Sequence, residues 1–204
     1  MDSKQIMETV DFKRCEEFHG HVCPGLSIGF RASHAAIQNI SENRAQDEEV
    51  VAVVENDACY ADAVQVLTGC TFGKGNFIYR DNGKMALILF SRKTGKGVRV
   101  AMKAGAFSPD ETHMALMRKV MSGEADSDEM DRFHALHFKR SCDILDMPED
   151  DLFTIKNITM ELPAKAKIEP SEPCSRCGEP TMRTKLEEKN GQQICQDCLE
   201  QEVS

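Results

Sequence analysis

Two sets of cysteines and histidines stand at spacings that suit chemistry. The first is FHGHVCPG at 18–25, which sets His19, His21 and Cys23 at alternate positions ahead of Pro24 and Gly25. In an extended segment alternate side chains share a face, so two imidazoles and a thiol would converge locally. Pro24 suits the first position of a helix, where its fixed φ is already helical and its missing N–H costs nothing. Cys23 then falls at the helix N-cap, where unpaired amides and the positive dipole end favour a thiolate. Such a group is a metal site or a nucleophile. The second set, Cys174, Cys177, Cys195 and Cys198, reads C-x2-C-x17-C-x2-C. That is the spacing of a four-cysteine zinc site. A module of about thirty residues cannot bury a sufficient core, so the ion would supply much of its folding energy.

A third group lies between these. VVAVVE at 50–55 is a β-branched run and reads as a strand;. Asn56 or Asp57 can cap a helix over 58–67, which puts Cys59 in its first turn and Asp62 one turn further on the same face. A second thiol thus sits where a thiolate is favoured. The helix ends in TGCTFGKGN at 68–76, whose glycines allow close backbone approach and whose Lys74 offers a positive charge;. Its order does not meet the phosphate-binding GxxxxGK[ST] pattern.

These groups need elements to position them. Residues 4–17 read as a helix, and 24–41 as a stronger one with Leu26, Phe30, Ile37 and Ile40 on its core stripe;. Gly25, Gly29, Ala32 and Ala36 form a second stripe, of small residues, suited to a neighbouring element or a second subunit. NFIYR and MALILF read as strands joined by the turn Asp81-Asn82-Gly83, and VRVAMK as the next strand;. Ser108-Pro109-Asp110-Glu111 reads as a capping box opening a helix, and 128–145 as a long helix before Pro148. FTIKNITM at 153–160 reads as a last strand or extended segment;. His34, and the pair His134 and His137 three residues apart, read as packed or solvated histidines rather than ligands. The expected fold is α+β: a mostly antiparallel sheet packed with helices over 1–162, a proline-rich linker at 163–173, and a zinc-finger module at 174–204.

Bulk properties exclude several classes. The formal charge of −9 argues against broad binding to nucleic acid or an anionic membrane;. No run approaches the ~20 apolar residues of a membrane span, and the polar, acidic N-terminus is unlike a secretory signal. A cytoplasmic protein is expected. Nine cysteines, an odd number, suit metal ligation and thiol chemistry rather than a disulfide framework;.

HGHVCPGLSIGFR at 19–31, with CYADAVQVLTGCTFGKGNF at 59–77, resembles the E-subunit family of formylmethanofuran dehydrogenase. The tail's CGEP and second CxxC resemble the zinc finger of the DksA/TraR transcription regulators. Its six basic and eight acidic side chains from Lys165 to Ser204 favour a structural or protein-contact module over a nucleic-acid reader;. The first resemblance implies a homodimer and a metal-binding cleft of His19, His21, Cys23, Cys59 and Cys70, with Asp62, Gln65 and Lys74 nearby. Tyr60 departs from the pattern and would narrow that cleft. The family's association with a molybdenum or tungsten oxidoreductase suggests such subunits as partners, with a small-molecule substrate left unnamed.

The leading expectation is a metal-dependent accessory protein or enzyme of one-carbon or redox metabolism. His21, Cys23 and Cys59 would hold a second divalent ion, expected to be zinc, with an open position for water or substrate. His21 is preferred to His19 as the ligand. Cys23, Cys59, His19, Asp62 and Lys74 are the candidates for catalysis, with Asp62 or His19 as proton shuttle. The alternatives are a metal-free thiol protein using Cys23 and Cys59, and a regulator acting through its zinc finger.

Overall fold

The run VVAVV, β-branched at four of five positions, forms strand β1 (Val50–Val54), and all five residues are buried in the computed structural model. A strand with no polar face belongs in the middle of a covered sheet. β1 accordingly pairs in parallel with β2 (Phe77–Tyr79) on one edge and antiparallel with β3 (Ala86–Ser91) on the other. β4 (Gly97–Met102) and β5 (Phe153–Ile158) extend the sheet antiparallel, giving the order β2-β1-β3-β4-β5. The fold is α+β with a mixed, mostly antiparallel sheet. The turn at Asp81-Asn82-Gly83 does not make a hairpin of NFIYR and MALILF, because β1 lies between them. The structure describes residues 1–40, 42–106, 110–159, 161, 163–165 and 169–201, in two units, Met1–Lys165 and Ala166–Ser204.

Helices cover the sheet of the first unit. The expected helix over 4–17 is two, α1 (Ser3–Met7) and α2 (Val10–His19). Thr9 makes the break: its Oγ1 donates to Ile6 O and accepts the Phe12 N–H that opens α2;. α3 (Pro24–Ile40) is buried on two sides. Ile28, Ala32, Ala36 and Ile40 join the core with Val54, Leu87 and Leu89 of the sheet, while Leu26 and Phe30 pack with Ile6, Phe12 and Cys15. Ser41, expected as its last residue, lies outside the described residues, as do Ser108 and Pro109 of the expected capping box. Asp110 caps α5 (Glu111–Ser122) by accepting from His113 N–H. Asp126 caps α6 (Ser127–Asp146) in a reciprocal box with Glu129;. The short α7 (Glu149–Leu152) leads into β5.

α4 (Tyr60–Thr68) connects β1 to the parallel β2. It lies against α3 so closely that a side chain is excluded at Gly29 and would be tight at Gly25. A Cβ on Gly29 would stand 2.3 Å from Tyr60 O, and one on Gly25 would stand 3.0 Å from Cys59 Cβ. Part of the small-residue stripe of α3 is therefore occupied within the chain, where it brings the N-termini of α3 and α4 together. Gly29→Ala should destabilise the unit by about 1–3 kcal/mol, since backbone carbonyl and helix must separate. A urea midpoint equal to the wild type's would contradict this packing. Tyr60 points into the core, fully buried with its hydroxyl unpaired among the described residues, so it does not narrow the cleft.

In the second unit, β6 (Ser171–Pro173) pairs with β7 (Pro180–Met182), and β8 (Leu186–Lys189) with β9 (Gln192–Cys195). The last residues of the expected linker are thus strand. Asn190 and Gly191 both take positive φ, 53° and 76°, the two-residue turn that joins β8 to β9;. α8 (Gln196–Glu200) follows directly.

Candidate metal centres

The α2–α3 corner builds the first site. His19 is the last residue of α2, and Gly20, at φ 93°, ends the helix in a left-handed turn. Cys23 directly precedes α3, and its Sγ accepts the Leu26 N–H at 3.3 Å. The three candidate ligands therefore converge through a helix–turn–helix corner, not through extended alternation. Their ligand atoms all lie within 4.8 Å of one another.

His19 is held by both nitrogens. Its Nδ1 lies 2.7 Å from Asp62 Oδ2 on α4, and its Nε2 lies 3.6 Å from Cys23 Sγ. A carboxylate behind a histidine fixes the ring and its tautomer, the usual support of a metal-binding imidazole. Tetrahedral zinc with S at about 2.3 Å and N at about 2.0–2.1 Å holds such a pair about 3.6 Å apart. The residues fit an ion. His21 stacks beside His19, with ring centroids 4.5 Å apart. Cys59, at the N-cap of α4, stands against Cys23, although its sulfur falls outside the three-residue group.

Burial decides the state of Cys23. It is 2 % exposed. Burial, with the Cys59 thiol beside it, pushes its pKa up to about 12 despite the amides of Leu26 and Gly25. Burial thus opposes the expected helix-start thiolate in the absence of a cation, because desolvation outweighs the helix terminus;. In metal-free protein, Cys23 should alkylate at pH 8 roughly a thousandfold more slowly than a free thiol of pKa ~8.5. A Cys23-specific rate that titrates near 8.5 would contradict this and revive thiol chemistry.

Other expected members of the cleft lie elsewhere. The nine residues of α4 put its two ends roughly 14 Å apart at about 1.5 Å per residue. Cys59 stands at one end and Cys70 beyond the other, where burial raises the Cys70 pKa to about 11 and its Sγ donates to Val50 O at 3.3 Å. Lys74 donates to Ala45 O and Gln46 O at 3.5 and 3.3 Å, and Gln65 Oε1 accepts from Phe72 N–H. These side chains tie down the glycine-rich loop and make no contact with the His19–Cys23 pair.

On the other side, His21 opens onto a cavity of about 650 Å³ walled by Val22 and Glu16 and by His134, His137, Phe133 and Phe138 of α6. His134 and His137 both stand in the wall of this cavity. His113 of α5, buried at 1 % exposure, sits behind His137 with Nε2 3.1 Å from His137 Nδ1. His113 carries no motif, and only a pairing of two helices that the sequence does not show to be neighbours would find it.

The second site closes on itself. Cys174, Cys177, Cys195 and Cys198 bring four sulfurs within 4.8 Å of one another. Cys177 and Cys195 sulfurs are 3.9 Å apart, near the ~3.8 Å across a tetrahedral zinc with ~2.3 Å bonds. Amides of Cys195, Cys177 and Arg176 aim at Cys174 and lower its pKa to about 6, so one sulfur is already poised as thiolate. Both groups could hold metal ions.

Residues 18–154 match the model of a family described as FmdE, Molybdenum formylmethanofuran dehydrogenase operon. A relative from Archaeoglobus fulgidus, named "Probable S-adenosyl-L-methionine-binding protein", is 31% identical over 192 residues, 91% of this chain and 51% of that protein. The chain thus spans about half that relative's length. The crystal structure of a tungsten formylmethanofuran dehydrogenase FmdE-like protein from Syntrophus aciditrophicus is similar with a TM-score of 0.62 and 24% identity, over 97% of this chain and 91% of that one. At that identity the likeness is one of fold. Among the described residues no helix is long and apolar enough to cross a membrane.

Proposed function

The chain belongs to the FmdE family, and on that premise we propose that its first unit is a metal-dependent enzyme or accessory protein of one-carbon metabolism. His19, His21 and Cys23 would hold a divalent ion, best suited to zinc, with a position left open toward the cavity. Bound zinc supplies Lewis acidity and lowers the pKa of a coordinated water. The observation that carries this reading is the 3.6 Å approach of His19 Nε2 to Cys23 Sγ, with Asp62 behind the ring. On this reading His19 joins the ligand set, where spacing alone prefers His21, and Asp62 would orient it rather than shuttle protons. Cys59 stands by as a further thiol. Lys74 has no part in this site.

The open position and the 650 Å³ cavity suit a small molecule;. The Archaeoglobus relative's name makes S-adenosyl-L-methionine one candidate, testable by calorimetry with the zinc-loaded chain. The family's description supports formylmethanofuran dehydrogenase subunits as partners; a second copy of the chain is proposed as another. The four-cysteine unit is read as a closed, structural zinc site.

Cobalt substitution tests the proposal. Metal-stripped protein titrated with Co²⁺ should show two sets of thiolate-to-metal bands, one from four sulfurs and a weaker one lost in Cys23→Ala. A spectrum unchanged by Cys23→Ala would overturn the first site.

A further inference from the structure

The histidines behind the cavity have a defined proton arrangement. His113 is buried, with its Nδ1 out of reach of any hydrogen-bond partner among the described residues, while its Nε2 meets His137 Nδ1 at 3.1 Å. A neutral imidazole carries one N–H and one lone pair. Leaving a buried N–H unpaired is the rarer and costlier choice, so the proton of His113 belongs on Nε2, where it donates to His137. His137 Nδ1 must then accept, and its own proton sits on Nε2. Phe133 lies against the His137 ring, centroids 4.8 Å apart and 31° between planes, which limits its rotation. His137 lines the cavity that His21 also lines. With Nδ1 occupied by His113, Nε2–H is the ring N–H left to His137 for a ligand in that space.

We propose that His137 is a ligand-binding residue, held by the positioning residue His113, whose Nε2–H donates to an oxygen of a carboxylate- or carbonyl-bearing small molecule. The inference deepens the reading of the cavity as the site facing the first metal centre. An N–H donor on one wall and a Lewis-acidic zinc ion, if held beside His21, would both favour the same ligand chemistry, an oxygen acceptor. The aromatic rings of Phe133 and Phe138 leave the rest of that wall apolar, and Glu16 is the one carboxylate among the lining residues. Glu16 would repel an anion placed against it, so the ligand oxygen belongs on the α6 side.

The test uses the full chain labelled with ¹⁵N-histidine, metal-free and zinc-loaded, with acetate as probe. Long-range proton–nitrogen spectra should show His113 and His137 both protonated on Nε2, and saturable acetate binding should move the His137 Nε2–H signal. His137→Phe should weaken acetate about tenfold or more, the cost of one hydrogen bond to a charged group. His137→Gln, which restores an N–H, should keep most of the affinity. In His113→Phe the fold should persist and the His137 tautomer should become mixed. A His137 proton on Nδ1, or a signal unmoved by acetate in both forms, would overturn the proposal. Zinc stoichiometry is measured separately by dialysis: zinc absent from His19 and Cys23, with the tautomers and acetate response as stated, would sink the metal reading and leave this one standing.

Discussion

Stripping the proposed zinc from the four-cysteine unit should unfold residues 169–201 and leave the first unit folded. Among the described residues, the core of this unit is Cys174, Ile194 and Cys195 with Leu186, Cys198 and Leu199 against it, so half of its interior is ligand. Burying so few apolar side chains cannot offset the conformational entropy of ordering more than thirty residues at about 1–2 kcal/mol each. Structural zinc contributes on the order of 10–16 kcal/mol in small four-ligand modules. The first unit has its own sheet and helices, with β1, β3 and β4 buried against α3. In amide spectra of the full chain, a strong chelator should collapse the dispersed signals of β6 to α8 and spare those of β1 to β5. Cys177→Ser should do the same without chelator. Retention of the tail's dispersion after metal removal would mean that the strands hold without the ion.

The second large effect falls on the first site. Cys23→Ala and His19→Ala each delete a proposed ligand, and zinc affinity there should fall below detection by dialysis. Asp62→Asn keeps the shape but replaces the carboxylate that holds His19 Nδ1 at 2.7 Å. Loss of such a partner costs about 10- to 100-fold in affinity, so the expected order is wild type, then Asp62→Asn, then either ligand variant. Lys74→Ala should leave zinc affinity unchanged, since its ammonium serves the carbonyls of Ala45 and Gln46. An Asp62→Asn protein that binds zinc as tightly as the wild type would remove the reason for counting His19 among the ligands.

What is legible in the sequence is local. The two CxxC pairs carry their geometry in their spacing, and Pro24 after Cys23 marks a helix start whatever surrounds it. The period-2 and β-branched runs place the strands, but their order depends on which strand is apolar on both faces. VVAVV is, and it splits two strands that a turn signal alone would join. The case for His19 as a ligand beside His21 rests on Asp62, 43 residues away on another helix, and no spacing rule reaches that far. Small residues in α3 predict a close approach without naming the neighbour; Tyr60 O and Ala63 supply it. The state of Cys23 escapes the sequence for a related reason. A helix terminus favours a thiolate, yet the surrounding Leu26, Phe30 and Ala63 exclude the water it would need. His113 and His137 meet only because α5 and α6 fold back on each other.

Metal analysis of the purified full chain addresses the central claim most directly. Two ions per chain are expected in the wild type, one in His19→Ala/Cys23→Ala, and one in Cys174→Ser/Cys177→Ser, with the ion lost from a different unit in each. One ion in the wild type, retained in full by His19→Ala/Cys23→Ala, would contradict it.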